Sequence, residues 1–227
     1  MGAVAISALK SKGIRIATHI KKCAGVSDRD FCDYDKDIDT LNNTDFAVLD
    51  GSVKDKMVSA ILDAKTDGDS VGGLLETVVT GMPAGVGEPW FDTVESMLSH
   101  ALFSIPAVKG VEFGAGFDVC DMRGSQVNDE FYNDGGIKTK TNNNGGINGG
   151  ITNGMPIVVR CAVKPTPTIF KAQDTVDIIS GDNTVTEPRG RHDPCIVHRA
   201  RVVADSVVAL TLCDLLTTHY GTDWLRK

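Results

Sequence analysis

The run Gly190-Arg191-His192-Asp193-Pro194-Cys195 places a fixed cation, an imidazole and a carboxylate side by side, closed by a proline. Unpaired charges are costly to desolvate, so such a cluster belongs where something charged is bound or a proton is moved. A guanidinium grips phosphate or carboxylate as a fork, and a neighbouring carboxylate can carry a proton. Alone the run is a weak motif, and its plain alternative is an Arg191–Asp193 ion pair on a loop. Three further stretches accompany it: Gly81 to Pro89 (GMPAGVGEP), Ser104 to Glu112 (SIPAVKGVE) and Lys164-Pro165-Thr166-Pro167-Thr168. In the last, Pro165 and Pro167 hold the chain extended. Thr166 and Thr168 then present hydroxyls beside the Lys164 ammonium, unless Lys164 simply ends a surface strand.

Other candidates divide between chemistry and packing. The stretch Asn142 to Gly150 (NNNGGINGG) reads either as a flexible surface linker or as a backbone cradle. In a cradle, glycines let peptide N–H groups approach a phosphate or a planar ligand. The cysteines at 23, 32, 120, 161, 195 and 213 contain no Cys-x-x-Cys pair, so they read as reduced thiols rather than zinc ligands. Cys195 as a nucleophile has no activating neighbour in the sequence. The aspartates between 27 and 45 lack the glycine and terminal glutamate of a calcium loop, and no metal site is expected. His100 reads as packing or interface, and His192 and His198 as loop support or chemistry.

These residues need elements to position them. Residues 2–12 read as a helix stopped by Gly13, and 14–20 alternate as a strand. Residues 27–45 read as a solvated acidic loop. A helix over 53–66 starts from Ser52 with Asp55 at its third position, on a stripe of Val53, Met57, Val58, Ile61 and Leu62. A strand follows over 72–80. A helix over 92–103 is capped by Asp92, and a strand runs over 110–120. Residues 121–148 read as a long polar loop, 155–163 as a strand, 165–169 as an extended Pro-rich piece and 174–180 as a strand. The last helix, 202–219, shows Val203, Val207, Leu210, Cys213 and Leu216 as its apolar face. The pattern is α+β, because single helices interrupt runs of strands without regular alternation.

Composition narrows the function further. The chain has 227 residues, 41% of them hydrophobic, and a net charge of -7. A broad basic field for nucleic acid is absent, although a phosphate site needs only a few local cations. No apolar run reaches bilayer length and the N-terminus lacks a signal-peptide layout. The expectation is a cytoplasmic protein with neither a nucleic acid nor a membrane partner. There is no Gly-x-Gly-x-x-Gly after a strand and no phosphate-loop lysine motif.

Taken in order, the motifs resemble chorismate synthase. They are Gly81 to Pro89, Ser104 to Phe117 (SIPAVKGVEFGAGF), Arg123-Gly124-Ser125-Gln126, Gly145 to Gly150, Lys164 to Thr168 and Gly190 to Cys195. The resemblance implies a β-α-β sandwich with helices between two antiparallel sheets, a single domain over 1–227 and a homotetramer. It implies phosphate elimination from 5-enolpyruvylshikimate 3-phosphate to give chorismate, using reduced FMN, reduced by NADPH or by an outside reductant. On this resemblance Pro106, Ala107 and Gly149 bring backbone against the flavin. Lys164, Pro165, Thr166, Pro167 and Thr168 hold its phosphate or ring atoms. Arg191 lies by flavin and substrate, and Asp193 is the acid/base group. Family members also carry an N-terminal segment with a Gly-Glu-Ser-His-Gly type motif, a further histidine and binding arginines. The fold is therefore expected to be incomplete at the N-terminus. None of His19, His100, His192, His198 and His219 matches the family's catalytic histidines, so the chain alone is expected to be impaired. A non-catalytic FMN-binding or assembly partner is the alternative.

Overall fold

The computed structural model describes residues 1–188 and 190–226. The chain runs α1 (Gly2–Ser11), β1 (Arg15–Cys23), β2 (Val26–Ser27), α2 (Tyr34–Asn42), α3 (Gly51–Thr66), β3 (Gly73–Thr80), α4 (Val94–Phe103) and β4 (Val108–Phe113). Then come α5 (Gly124–Val127), β5 (Phe131–Asn133), β6 (Ile137–Thr139), β7 (Ile147–Asn148), β8 (Ile151–Thr152), β9 (Ile157–Val163), β10 (Gln173–Val176), β11 (Asn183–Thr186) and α6 (Val197–Tyr220). Five strands form one antiparallel sheet in the order β2-β1-β3-β9-β4, and the other three sheets are two-stranded ribbons. The fold class is α+β, as the sequence indicated.

Side chains alternate across the sheet. Ile16 and Ile20 of β1, Leu75 and Val79 of β3, and Ile157, Val159, Cys161 and Val163 of β9 face a layer built from α1, α4 and α6. That layer contributes Leu9, Leu98, Leu102, Val208 and Leu212, all essentially inaccessible to solvent. Each such side chain gains roughly 1.5–3 kcal/mol from burial. On the opposite face Ala17, Val78 and Val158 pack under Ile38 and Leu41 of α2 and under Ala47 and Leu49. Sheet and helical layer are two of the three layers of the expected sandwich. Beyond the helices the described residues place no sheet, and Val4, Val202, Val203 and Leu210 stand exposed there.

Several elements differ from the sequence reading. The acidic stretch 27–45 is not all loop, because Asp33 accepts the Lys36 N–H as an N-cap and α2 buries Ile38 and Leu41. Asp50, not Ser52, caps α3, and within that helix only Met57 is fully buried while Leu62 is exposed. Thr93, not Asp92, caps α4, with its Oγ1 accepting the Ser96 N–H at 3.0 Å. The strand after Val108 ends at Phe113, because Gly114 and Gly116 turn the backbone to positive φ and 116–121 coil into a 3-10 turn. The polar loop 121–148 holds α5 and the β5–β6 ribbon, and β10 stops at Val176. The last helix starts five residues early, at Val197, and buries Ala204, Val208, Leu212 and Leu215 while Val203 and Leu210 are exposed.

Candidate active site

At the end of the sheet where β4 and β3 begin and β1 and β9 finish, three of the singled-out segments meet. The Lys164 N–H donates to the Ala107 carbonyl at 2.9 Å, tying the Ser104–Val108 link to the Pro-rich strand extension. The Ser70 hydroxyl donates to the Thr166 carbonyl at 2.7 Å. One residue on, the Val71 N–H donates to the Pro194 carbonyl at 2.8 Å. The lead-in to β3 thus stitches Lys164–Thr168 to the Gly190–Cys195 run. Phe170 donates its N–H to the Gly68 carbonyl at 2.8 Å, and Lys171 Nζ binds the carboxylates of Asp67 and Asp69.

Beside this rim Thr168, His192 and Asp193 line a small pocket of about 10 Å³ with Lys65 and Asp69. Lys164 and Arg191 are exposed and make no ion pair among the described residues. Asp193 is held by Arg199, whose Nη1 and Nη2 donate to its two carboxylate oxygens at 2.8 and 3.4 Å. The ion pair considered from sequence therefore exists, but its cation is Arg199 rather than Arg191. His192 lies against the Phe170 ring at 5.4 Å between centroids, and its Nε2 is buried without a partner among the described residues. Burial, and then the nearby Arg199, push the His198 pKa down, so that imidazole is neutral near pH 7.

Two further features of the rim bear on what it could hold. Ala107 has φ +77, a left-handed conformation that a residue with a Cβ rarely adopts and that costs about 1–3 kcal/mol. Thr166 Oγ1 is buried with no hydrogen-bond partner among the described residues. Buried hydroxyls are almost always bonded, so this one fits a polar atom of a bound molecule. With Lys164 and Arg191 exposed on the rim, the donor set suits an anionic, hydrogen-bonding ligand such as FMN. Pro106 and Pro165 are exposed beside them, Pro167 is exposed and Thr168 is half-buried.

Gly149 is not brought to this rim. Its turn between β7 and β8 lies at the far end of β9, where Gly146 packs on the Pro156 carbonyl, and Gly150 bonds Val94 at the start of α4. The seven residues of β9 set the two places roughly 23 Å apart along the strand. The linker reading of Asn142–Gly150 is overturned. Asp129 accepts from Thr141 Oγ1, from the N–H groups of Asn143 and Asn144 and from Asn144 Nδ2, which fixes the segment, and Gly145, Gly146 and Ile147 are buried. Gly149 keeps open space on its Cα side.

The sequence reading misses Ser70, Asp69, Lys171 and Arg199. The signal for Arg199 is a basic residue six positions after Asp193, but only a helix that begins at Val197 places it on a first turn facing back. Cys195 is buried, with its Sγ 3.7 Å from that of Cys23. Cys161 is also buried, Cys213 half-buried, and Cys32 and Cys120 exposed.

The chorismate synthase family model matches residues 1–217. This chain belongs to the chorismate synthase family. It is 45% identical to the chorismate synthase of Methanosarcina acetivorans over 214 residues, covering 94% of this chain and 58% of that relative. It is 51% identical to that of Korarchaeum cryptofilum over 160 residues, covering 70% and 44%. A crystal structure of a chorismate synthase superposes with a TM-score of 0.80 at 30% identity, covering 98% of this chain and 62% of that one. The matched part of the chain therefore spans between 44% and 62% of these relatives' lengths. No helix among the described residues is long and apolar enough to cross a membrane.

Proposed function

We propose that this chain forms the flavin and phosphate rim of a chorismate synthase site. The reaction is the anti-1,4-elimination of phosphate from 5-enolpyruvylshikimate 3-phosphate to give chorismate. The observation that carries this reading is the meeting of Ala107, Lys164–Thr168 and Arg191–Asp193 at one sheet end, with Thr166 Oγ1 left unpartnered there. Lys164 and Arg191 bind phosphate oxygens and stabilise negative charge as the phosphate departs. Thr166 and Thr168 orient the cofactor by hydrogen bonds. Arg199 fixes the direction of the Asp193 carboxylate, which holds or accepts the proton. Reduced FMN, when bound, supplies electron density to the breaking carbon–oxygen bond.

The same reading places the protein in the cytoplasm as a homotetramer, with NADPH or an outside reductant serving the flavin. It also holds that the chain alone turns over poorly. His19 is locked between Asp28 and Glu76, so it is not free for proton transfer at the rim. The test is anaerobic phosphate release from 5-enolpyruvylshikimate 3-phosphate with chemically reduced FMN. Little release by the chain alone, and recovery when the N-terminal part of a family member is added, is the expected result. No release in the mixture, together with no quenching of FMN fluorescence, overturns the reading. A non-catalytic FMN-binding partner is the second reading, favoured by the engagement of both Asp193 oxygens by Arg199. FMN binding without release in any mixture identifies it.

A further inference from the structure

Cys23 is the last residue of β1 and Cys195 immediately precedes the Ile196 N-cap of α6, 172 positions away in sequence. Their sulfurs nevertheless lie 3.7 Å apart in the core, with the two residues 0% and 2% exposed. A disulfide needs a sulfur–sulfur distance of about 2.05 Å, so closure asks for a side-chain rotation and a small shift rather than a refolding. Cys195 terminates the run that carries Arg191 and Asp193. Among the described residues a single backbone hydrogen bond, Val71 N–H to the Pro194 carbonyl, ties that run to the lead-in of β3.

We propose that Cys23 and Cys195 are a peroxide-oxidisable dithiol whose disulfide pins the Gly190–Cys195 segment to the end of β1. The inference stands whether or not the proposed reaction is right, because it concerns sulfur chemistry alone. The two sulfurs are not equivalent. The Cys195 sulfur lies in hydrogen-bond contact with the Cys23 sulfur at the start of α6. The contact with Cys23, against the opposing effect of burial, and then the backbone N–H groups of Val197 and His198 bring its pKa down. The contact with Cys195, and then burial, push the Cys23 thiol up. Cys195 directly precedes the N-terminus of α6, where backbone N–H groups favour an anion, so it is the sulfur that carries the thiolate, and the thiolate is the nucleophile.

The Cys195 thiolate attacks one oxygen of hydrogen peroxide and the oxygen–oxygen bond breaks, leaving a sulfenic acid and hydroxide. The Cys23 sulfur then attacks the Cys195 sulfur. The sulfur–sulfur bond forms, and the sulfenic hydroxyl leaves as water with the Cys23 proton. Two thiols lose two electrons, and one peroxide, with the proton first shed by Cys195, becomes two waters. Because both sulfurs are buried, oxidation proceeds when the 190–195 segment lifts, and a thiol reductant reverses it.

The experiment treats the full chain with equimolar hydrogen peroxide, quenches with catalase, alkylates with N-ethylmaleimide in denaturant and maps peptides without reduction. The expected result is a Cys23–Cys195 cross-link lighter by two hydrogens, a loss of two alkylatable thiols from the six, and full recovery with dithiothreitol. Hydrogen exchange of the 190–196 amides should slow several-fold in the oxidised form. Two results overturn the proposal: Cys23 and Cys195 both alkylated after the exposed Cys32 and Cys120 have been oxidised, or a cross-link pairing any other cysteines. The Cys23→Ser variant, checked for cooperative melting, should stop at a sulfenic acid on Cys195 that dimedone traps. An absence of that adduct overturns the assignment of Cys195 as the attacking sulfur. Should the variant fail to fold, the map of the unaltered chain decides the matter.

Discussion

Replacing His19 by alanine tests whether a row of charges set across one face of the sheet holds its strands together. His19 is fully buried; its Nδ1 meets Asp28 Oδ2 at 2.8 Å and its Nε2 meets Glu76 Oε1 at 3.0 Å. The row continues to Arg160, 3.5 Å from Glu76, and on to Glu112. Removing one partner of a buried pair costs about 3–5 kcal/mol. The lower end applies here, because Asp28 keeps the N–H groups of Leu49 and Asp50 and Glu76 keeps Arg160. About 3 kcal/mol corresponds to a fall in Tm of roughly 6–12 °C for a chain of this size. In urea the midpoint should drop at an unchanged slope. The pH dependence gives a second handle. Burial pushes the His19 pKa down, but its bonds to Asp28 and Glu76 outweigh that and raise it overall. Its contribution is complete below the unfolded value of about 6.5 and is lost as pH rises through the folded value. Burial pushes the Asp28 pKa up, but His19 and the two backbone donors outweigh that and lower it. That contribution is present above about 3.9 and is lost as pH falls through the folded value. The wild-type excess over His19→Ala should therefore peak between about pH 4 and 6.5 and shrink on either side. An excess below about 1 kcal/mol at pH 5.5, or one that grows from pH 6.5 to 9, would refute the reasoning.

Gly146→Ala should cost at least about 2 kcal/mol in urea melts, because its φ is +80 and a Cβ would sit 2.5 Å from the Pro156 carbonyl oxygen. Lys164→Ala and Arg191→Ala, both at exposed positions, should leave melting within about 0.5 kcal/mol. Each should weaken FMN binding about tenfold or more in fluorescence titration, the size of one lost charged hydrogen bond. Arg199→Ala removes a partly exposed pair worth at most about 1 kcal/mol. It should speed amide exchange over 190–195 without moving Tm beyond a few degrees.

The fold was legible where periodicity was strong. In β9 an apolar residue recurs at every second position from Ile157 to Val163, and in β1 Ile14, Ile16 and Ile20 keep that spacing around Thr18; both strands lie near where the alternation put them, with β1 running on to Cys23 and β9 starting two residues late. Periodicity failed where few residues carried it. In α2 only Ile38 and Leu41 are buried among acidic neighbours, and what makes it a helix is its dock on Ala17 and Val78 from distant strands. In α6 the difficulty was the reverse. The helix is apolar on more than one side, so a stripe through Val203 and Leu210 looked as good as the buried one through Ala204, Val208 and Leu212.

The candidate site was legible as residue types and not as geometry, for a physical reason. Charged and glycine-rich motifs announce that a segment does something, but the contacts that place it are mostly backbone bonds such as Val71 to Pro194 and Lys164 to Ala107. Those bonds carry no side-chain signature. Ser70, which stitches Thr166 through its hydroxyl, looks in sequence like any residue before a strand. Gly149 shows the same limit from the other side. Its glycine neighbours matched a ligand cradle in composition, yet the structure uses Gly145 and Gly146 to let the backbone press on Gly114 and Pro156. The glycine that is left open stands at the far end of β9 from the Lys164 rim. If Gly149 contacts flavin as the family resemblance implies, either the ligand extends along the helical layer toward it or a second chain supplies the rim it faces. The Gly149→Val variant separates these cases from a purely local role, since a Cβ added at Gly149 would meet no atom within 4 Å. It should fold with no more than the cost of a strained φ, about 1–3 kcal/mol, and still lose FMN affinity in either case. Unchanged affinity would show that this turn serves only the fold.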